Sequence, residues 1–377
     1  MKDGRPAFPQ EMLKWSTLAG VLLLIAGSFV APLGDYVRLA SALVAPSRIE
    51  RDVTYGIADG VALKLDLYYP KSIASSVPIA VYVHGGGWTA GDKSGGAGLR
   101  DLQELVDRGY LVAAINYRLA PRHKFPAQIE DVKCAIRYLR ANAVRYGADP
   151  ERIGAWGGSA GGHLVALLGV TDSGAGFDGS GGSLDQSSRV QAVVDMFGPT
   201  DLTKLFAGAS QQLIETVFGT TDRNAELLKK ASPVNYVSID DPPFLILHGE
   251  LDKLVPPSQS EIFYEKLKET GIPATLVIVK NAGHGFSEAA SPISPSREEI
   301  SKMVADFFDR HLKQSSRMET LTASQTAVLS RSYAYGVGSV LLMVSAVSLA
   351  AIIAGAYLLR KQKDSSPSIR GKEATLS

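Results

Sequence analysis

Residues 153–168 have the sequence IGAWGGSAGGHLVALL, in which an apolar segment, a glycine-rich turn and a helix-like run follow one another directly. Ser159 stands at the apex of the turn Gly157-Gly158-Ser159-Ala160-Gly161. Small neighbours allow the strained backbone and the close approach that such a strand-to-helix turn requires. The turn exposes the serine hydroxyl at a helix N-terminus, where peptide N–H groups favour negative charge. We therefore predict Ser159 as a nucleophile in an α/β fold.

A serine nucleophile needs a base, and the base needs a group that orients it. In one known arrangement, an acid and then a histidine follow the serine along the chain. His284 lies in a glycine-flanked turn after a strand-like run, and Asp252 follows another apolar run. The acid would hold the imidazole tautomer and stabilise the imidazolium. Glu250, two residues nearer the strand, is the competing carboxylate.

A second glycine-rich stretch, HGGGW at residues 84–88, follows the apolar run 79–83. Tetrahedral intermediates carry an oxyanion, which preorganised peptide N–H groups stabilise. Consecutive glycines bring such groups close to a substrate, and the residue after the nucleophile supplies another donor. We expect His84 to anchor this loop. The predicted oxyanion-hole donors are Gly86, Gly87 and Ala160.

Together these motifs resemble the α/β-hydrolase esterases of the hormone-sensitive-lipase and acetyl/feruloyl esterase type. The resemblance covers about residues 53–312 and extends to NYRLAP (116–121), FPAQ (125–128), Asp131, DPERI (149–153), HGxxDxxVP (248–256) and GHGF (283–286). It implies the triad Ser159, Asp252 and His284, with Asp252 preferred over Glu250 because Val255-Pro256 follows it. It also implies an α/β-hydrolase fold, with a mostly parallel sheet of about eight strands and helices on both faces.

Three further segments specify the expected architecture. No helical cap precedes the strand at 79–83, and residues 53–67 predict two strands around the hairpin signal Asp59-Gly60. The resemblance therefore implies the smaller-capped acetyl/feruloyl branch. The helix-like stretch 201–237 lies where such hydrolases place a cap, so we expect it to contribute to the substrate pocket. Residues 173–188, rich in Gly, Ser and Asp, are expected to be flexible.

The predicted function is that of a serine carboxylesterase, which hydrolyses small to medium carboxylic esters through an acyl-serine intermediate. An amidase or arylformamidase of the same fold is one alternative. A catalytically silent, membrane-bound interaction module is another, which the complete triad disfavours. The net charge of +1 gives no basic field for nucleic acid. No cofactor or metal is expected, and the single cysteine, Cys134, is predicted to fill the core.

Both ends of the chain are predicted to contain membrane helices. Residues 15–33 and 336–359 are uncharged and long enough to span a bilayer. For the first segment the alternative is a cleaved signal peptide, with Ala40-Ser41-Ala42 as the cleavage site. Tyrosines flank the second segment, as in an aromatic belt.

The predicted organisation follows from these segments. It comprises an N-terminal tail (1–14), a transmembrane helix or signal anchor (15–34), an α/β-hydrolase domain (47–313), a polar stalk (314–332), a second transmembrane helix (333–359) and a basic tail (360–377). Arg360, Lys361 and Lys363 favour a cytoplasmic tail. Two spans then place the hydrolase domain on the extracytoplasmic side of the cell membrane.

Overall fold

A computed structural model of the chain describes residues 48–72, 76–204, 206, 210–289 and 291–313. The predicted membrane helices at 15–34 and 333–359, together with the tails and the stalk, lie outside these residues. Within the described ranges, no helix combines the length and the apolar character needed to cross a membrane.

One sheet runs through the described part of the chain and contains eight strands in the order β1-β2-β4-β3-β5-β6-β7-β8. The strands are β1 (Arg48–Ala58), β2 (Val61–Tyr69), β3 (Val77–Val83), β4 (Leu111–Ile115), β5 (Ala148–Gly158), β6 (Ala192–Met196), β7 (Phe244–Gly249) and β8 (Ala274–Val279). Strands β3 to β8 are parallel to one another, whereas β2 is antiparallel to both of its neighbours, β1 and β4. The predicted mostly parallel sheet is confirmed, and so is the hairpin, which turns at Asp59-Gly60 between β1 and β2.

Helices cover both faces of the sheet, as the sequence predicts. They are α1 (Leu102–Asp107), α2 (Ala127–Asn142), α3 (Ala160–Gly169), α4 (Gln211–Phe218), α5 (Glu226–Lys230), α6 (Ser258–Thr270) and α7 (Arg297–Phe308). Apolar residues of α2, α3 and α6 form one core with the sheet, and those of α1 and α7 form a second core on the opposite face. Every residue of the apolar run in β3 is buried, which is typical of a central parallel strand covered on both faces.

The segment 173–188 differs from its prediction as a flexible loop, because it packs against α2. Phe177 is buried, and its ring lies 5.5 Å from that of Phe125. Arg137 of α2 is also buried and donates hydrogen bonds to the carbonyl oxygens of Asp178 (2.8 Å) and Gly182 (3.2 Å). A buried guanidinium needs acceptors, and the loop backbone supplies them. Cys134, on the same helix, is buried in the core as predicted.

Candidate active site

Ser159 lies in the sharp turn that joins β5 to α3. Its backbone has φ +59° and ψ −123°, a conformation that residues other than glycine rarely adopt. The Ser159 N–H donates to the carbonyl oxygen of Met196 at 2.9 Å, which ties the turn to the end of β6. A side chain at Gly157 would place its Cβ 2.6 Å from the carbonyl oxygen of Val83. The glycine there is therefore required by the close approach of the turn to β3.

In the structure, two hydrogen bonds link the side chains of Ser159, His284 and Asp252 in that order. The Nε2 atom of His284 lies 3.0 Å from Ser159 Oγ, and its Nδ1 atom lies 2.7 Å from Asp252 Oδ2. Because a carboxylate can only accept, Nδ1 carries the proton and Nε2 is free to accept from the serine hydroxyl. This is the tautomer that a general base at Ser159 requires.

The carboxylate of Asp252 is held in place by further contacts. Its Oδ1 atom accepts hydrogen bonds from the N–H groups of Leu254 (2.9 Å) and Val255 (3.0 Å). Burial alone would raise the pKa of Asp252, but side-chain hydrogen bonding to His248 and His284 outweighs it and holds the pKa well below its usual range. The acid is therefore ionised wherever the protein is neutral to mildly acidic.

His248 is a buried residue of the site to which the sequence assigned no role. Its Nε2 atom lies 3.5 Å from Asp252 Oδ2 and donates to the carbonyl oxygen of Val255 at 2.8 Å. Its Nδ1 atom lies 2.6 Å from Ser260 Oγ on α6. The motif HGxxD places His248, the penultimate residue of β7, four residues before the acid, although the spacing alone does not identify its partner. The imidazole packs against the acid loop from the sheet side.

Glu250, the competing carboxylate, points elsewhere. It pairs with Lys280 Nζ at 2.7 Å and accepts from the N–H of Asn281 at 3.2 Å. These contacts lower the pKa of the Glu250 carboxyl, with the hydrogen bond to Lys280 as the main cause. Glu250 therefore connects the two loops that carry Asp252 and His284.

The loop after β3 presents its glycine backbone to the same pocket. Gly86 and Gly87 have φ of +106° and +61°, and both line the pocket with Ser159. Within the described part of the chain, their N–H groups have no hydrogen-bond acceptor. Ala160, the third predicted donor, opens α3 directly after Ser159. Backbone donors from two chain segments thus flank the serine.

His84 anchors the beginning of this loop, as predicted. Its ring stacks on Tyr117 with 4.2 Å between the centroids, and its Nδ1 atom donates to the carbonyl oxygen of Gly85 at 2.7 Å. The Tyr117 hydroxyl in turn donates to the His84 carbonyl oxygen at 2.9 Å. Burial lowers the pKa of His84, which suits a neutral structural role.

The pocket at Ser159 has a volume of about 470 Å³. Besides glycine backbone, its wall includes the side chains of Tyr82, Phe197 and Leu254. Phe197, a residue that the sequence analysis did not identify, has φ +45° and packs edge-on against His284 with 5.0 Å between the centroids. No local motif marks it, since its role depends on the placement of β6 beside the histidine loop.

The insertion between β6 and β7 contains α4 and α5, in the stretch predicted as a cap. Leu213 of α4 lies beside the glycine loop, because a Cβ built on Gly87 would be 3.8 Å from its methyl groups. Phe218 of the same helix packs edge-on against Trp88 at 5.6 Å. The insertion therefore contacts the HGGGW loop (residues 84–88), which is the predicted oxyanion loop. Among the described residues, no group of three or more His, Cys, Asp or Glu side chains could hold a metal ion.

Comparisons with known proteins agree with this arrangement. The family model BD-FAE matches residues 65–267, a range that includes Ser159 and Asp252. The chain is similar to the probable carboxylic ester hydrolase LipM of Mycobacterium tuberculosis, with 36% identity over 225 residues that cover 58% of this chain and 51% of the relative. The chain thus spans about half the length of that curated relative.

Two solved structures extend the comparison to the fold. A truncated carbohydrate esterase from gut microbiota has a TM-score of 0.61 and 31% identity, and the match covers 71% of this chain and 97% of that one. Esterase 2 of Thermogutta terrifontis, phosphorylated by paraoxon, has a TM-score of 0.58 and 27% identity, with 70% and 95% covered. Both support the α/β-hydrolase fold of the described residues.

Proposed function

The chain belongs to the BD-FAE family, and we propose that it is a serine carboxylesterase that hydrolyses small to medium carboxylic esters. One observation carries the proposal. Ser159 Oγ lies 3.0 Å from the unprotonated nitrogen of an imidazole whose other nitrogen is held by Asp252 at 2.7 Å. Ser159 and His284 line a pocket together with Gly86 and Gly87. The N–H groups of these two glycines have no hydrogen-bond acceptor among the residues that the structure describes, which supports their proposed role as oxyanion donors.

In the first half-reaction, Ser159 Oγ forms a bond to the ester carbonyl carbon while His284 Nε2 accepts the hydroxyl proton. The carbonyl oxygen becomes an oxyanion, which the N–H groups of Gly86, Gly87 and Ala160 stabilise. Asp252 accepts a hydrogen bond from the Nδ1–H of the His284 imidazolium and stabilises its charge. The bond to the leaving oxygen then breaks, and His284 gives its proton to the departing alcohol, which leaves an acyl-Ser159 ester.

In the second half-reaction, a water molecule replaces the alcohol. His284 Nε2 accepts a proton from the water as its oxygen attacks the acyl carbon, and the same donors hold the new oxyanion. Collapse of this tetrahedral intermediate breaks the bond between the acyl carbon and Ser159 Oγ, and Oγ regains the proton from His284. The carboxylic acid leaves, and the enzyme returns to its starting state without a cofactor.

The size of the pocket supports the proposed substrate range. A volume of about 470 Å³ lies at the lower end of the range for ligand pockets. It accommodates an ester with a short acyl group and a small alcohol group. Much of the lining is glycine backbone and apolar side chains such as Phe197 and Leu254, which suit a neutral acyl group, although Asp92 also lines the pocket. The name of the gut carbohydrate esterase adds sugar esters to the substrates worth testing.

Replacing Ser159 tests the proposal directly. Ser159→Ala should lower hydrolysis of p-nitrophenyl butyrate on the order of 10⁴-fold or more while leaving the folded structure intact. A fluorophosphonate probe should label the unaltered protein at Ser159 and fail to label the variant. Ser173→Ala, at an exposed serine outside the site, is the matched control and should hydrolyse and label normally. Full turnover by Ser159→Ala would contradict the assignment.

A substrate panel separates the esterase from the amidase or arylformamidase alternative. We expect p-nitrophenyl esters from acetate to about octanoate to be hydrolysed, with an optimum among the shorter chains because of the small pocket. Matched anilides and an aryl formamide should react much more slowly. A preference for the formamide over the ester would favour the amidase.

We also propose that the enzyme is anchored in the cell membrane with its hydrolase domain on the extracytoplasmic side. The proposal is supported by the uncharged runs 15–33 and 336–359 and by the basic cluster Arg360-Lys361-Gln362-Lys363 after the second run. Full-length protein should sediment with membranes and resist carbonate extraction. Protease applied from outside should digest the domain and spare the tail, and the opposite pattern would reverse the proposed orientation.

A further inference from the structure

Trp88 follows the two predicted oxyanion glycines directly and is almost fully buried, at 3% exposure. Its backbone has φ +59°, a left-handed conformation that is uncommon for a residue with a large side chain. The Trp88 carbonyl oxygen accepts from the N–H of Ala120 at 3.0 Å. The residue is thus fixed in a backbone conformation that it would not adopt without support from its surroundings.

That support comes from the helix that carries the nucleophile. The indole Nε1–H of Trp88 donates to Nδ1 of His163 at 3.1 Å, and the two rings meet edge-on with 5.1 Å between centroids. His163 lies one helical turn after Ser159, and its own N–H donates to the Ser159 carbonyl oxygen at 2.9 Å. A single side-chain bond therefore connects the oxyanion loop to the helix that begins at the nucleophile.

The second nitrogen of His163 fixes the direction of this bond. Nε2 lies 2.7 Å from the carbonyl oxygen of Ala231, at the end of α5, and a carbonyl oxygen can only accept. Nε2 therefore carries the proton, and Nδ1 is left as the acceptor for the indole. Burial lowers the pKa of His163 to about 4, so the ring is neutral at the pH of ester hydrolysis.

We propose that His163 and Trp88 are positioning residues that set the distance between the oxyanion donors and Ser159. An oxyanion hole requires N–H donors from the Gly86-Gly87 loop and from Ala160 to converge on one atom. The two sets belong to different segments of the chain, and the Trp88–His163 bond joins these segments just behind the donors. The donors must be held in place to within a fraction of an ångström. Loss of this bond should therefore reduce the stabilisation of the transition state more than it reduces the affinity for the substrate.

Three substitutions separate the hydrogen bond from simple core packing. Trp88→Phe keeps an aromatic ring against Phe218 and removes the indole N–H. His163→Gln places an amide N–H near Nε2 and keeps the bond to Ala231, but it removes the acceptor for Trp88. His163→Asn does the reverse, because its amide oxygen takes the place of Nδ1. The two histidine variants differ in which bond they keep. Because Asn is one methylene group smaller than Gln, a loss of packing alone would harm His163→Asn more than His163→Gln, which is the opposite of the order expected from the hydrogen bond.

The inference builds on the proposed esterase activity, and the measurement is kcat and KM for p-nitrophenyl butyrate, together with the rate of fluorophosphonate labelling at Ser159. We expect Trp88→Phe and His163→Gln to lower kcat by about 10- to 100-fold with little change in KM, since the lost interaction acts on the oxyanion. Labelling should slow in parallel, because the phosphonyl oxygen uses the same donors. His163→Asn should retain most of the activity.

The outcomes distinguish the inference from the proposed function. If the unaltered protein neither hydrolyses the ester nor labels at Ser159, the proposed function itself fails. If the unaltered protein does both, two results would overturn the positioning role. One is a kcat of His163→Gln equal to that of the unaltered protein, and the other is a loss of kcat in His163→Asn as large as in His163→Gln. Should Trp88→Phe fail to fold, the two histidine variants alone decide the question, with thermal unfolding used to verify that both are folded.

Discussion

Asp252 and Glu250 are two carboxylates of one loop with opposite surroundings. Asp252 is 5% exposed and bonded to His284, whereas Glu250 is bonded to Lys280 at the surface. Asp252→Asn should lower kcat on the order of 10⁴-fold, because an amide at this position favours the wrong imidazole tautomer. Glu250→Gln should cost about tenfold or less, since it only loosens the contact between two loops. Steady-state kinetics of both variants check the assignment, and a reversed order would transfer the role of the acid to Glu250.

Asp195 is a buried carboxyl that the proposed reaction does not use. It is fully buried on β6, and its Oδ1 atom accepts from the N–H of Gly198 at 3.0 Å. Among the described residues, no group donates to its Oδ2 atom. Burial raises its pKa to about 6. Between the unfolded value of about 3.9 and this value, the folded state keeps a proton that the unfolded state has lost, so stability falls as the pH rises.

Asp195→Asn should therefore stabilise the protein in a pH-dependent manner. At pH 8 the amide removes a buried charge, and we expect a gain of about 1–3 kcal/mol in the free energy of unfolding. Near pH 4 the gain should vanish, because the native carboxyl is then neutral as well. Urea denaturation at both pH values measures the difference, with the exposed Asp185→Asn as a control that should show neither effect. An equal change at both pH values would mean that packing, and not charge, dominates at this position.

The oxyanion loop offers a comparison between neighbouring glycines with different surroundings. A Cβ on Gly86 would overlap the carbonyl oxygen of Ala90, whereas one on Gly87 would meet only side chains at 3.8 Å or beyond. Gly86→Ala should displace the loop and lower kcat by at least about 100-fold, which is the usual cost of losing an oxyanion donor. Gly87→Ala should lower kcat less, because its φ of +61° is accessible to alanine at a modest cost.

In both glycine variants the effect should fall on kcat more than on KM, since these donors act on charge that develops in the transition state. Gly60→Ala is the matched control, with φ +72° and open space around the built Cβ in the hairpin turn. It carries the same type of backbone strain outside the site and should leave kcat unchanged. Unchanged kcat in both loop variants would contradict the assignment of the oxyanion donors.

The elements that the sequence predicts well are those set by local pattern. Strand β3 and the second half of β5 (residues 153–156) are apolar runs that lead into glycine-rich turns, and the hairpin follows from Asp59-Gly60. The grouping of Ser159, Asp252 and His284 follows from their order and from motifs with known geometry. The role of His248 was not predicted, because a histidine at a strand end has no periodic signature that identifies its partner.

Contacts between distant segments account for the rest. The segment 173–188 has the composition of a free loop, but its carbonyl groups accept from the buried Arg137 of α2. Likewise, the bond between Trp88 and His163 joins residues 75 positions apart. In each case a buried polar side chain must find an acceptor, and only the assembled sheet determines which backbone or ring is within reach.

Both ends of the described hydrolase unit lie at the edge of the sheet opposite the site. Arg48 pairs with Tyr69, and since β2 runs antiparallel to β4, this pair lies at the amino end of β4. Near the other end of the unit, the Leu312 carbonyl oxygen accepts from Arg152 at 3.3 Å, near the start of the paired part of β5. Ser159, by contrast, follows the carboxyl end of β5. Arg48 and Leu312 therefore lie at the end of the parallel strands opposite to Ser159.

A protein cut to residues 47–313 should consequently fold alone, remain in solution and hydrolyse p-nitrophenyl butyrate with kcat and KM within about twofold of the full-length enzyme. It keeps the triad, the oxyanion loop and both apolar cores. A shorter form, residues 61–313, should fail to fold, because it loses β1 and with it the buried Tyr55, whose hydroxyl donates to the Asn116 carbonyl oxygen at 2.5 Å. Circular dichroism and ester hydrolysis of the two forms provide the test. An inactive but folded 47–313 fragment would show that the removed segments contribute to the site.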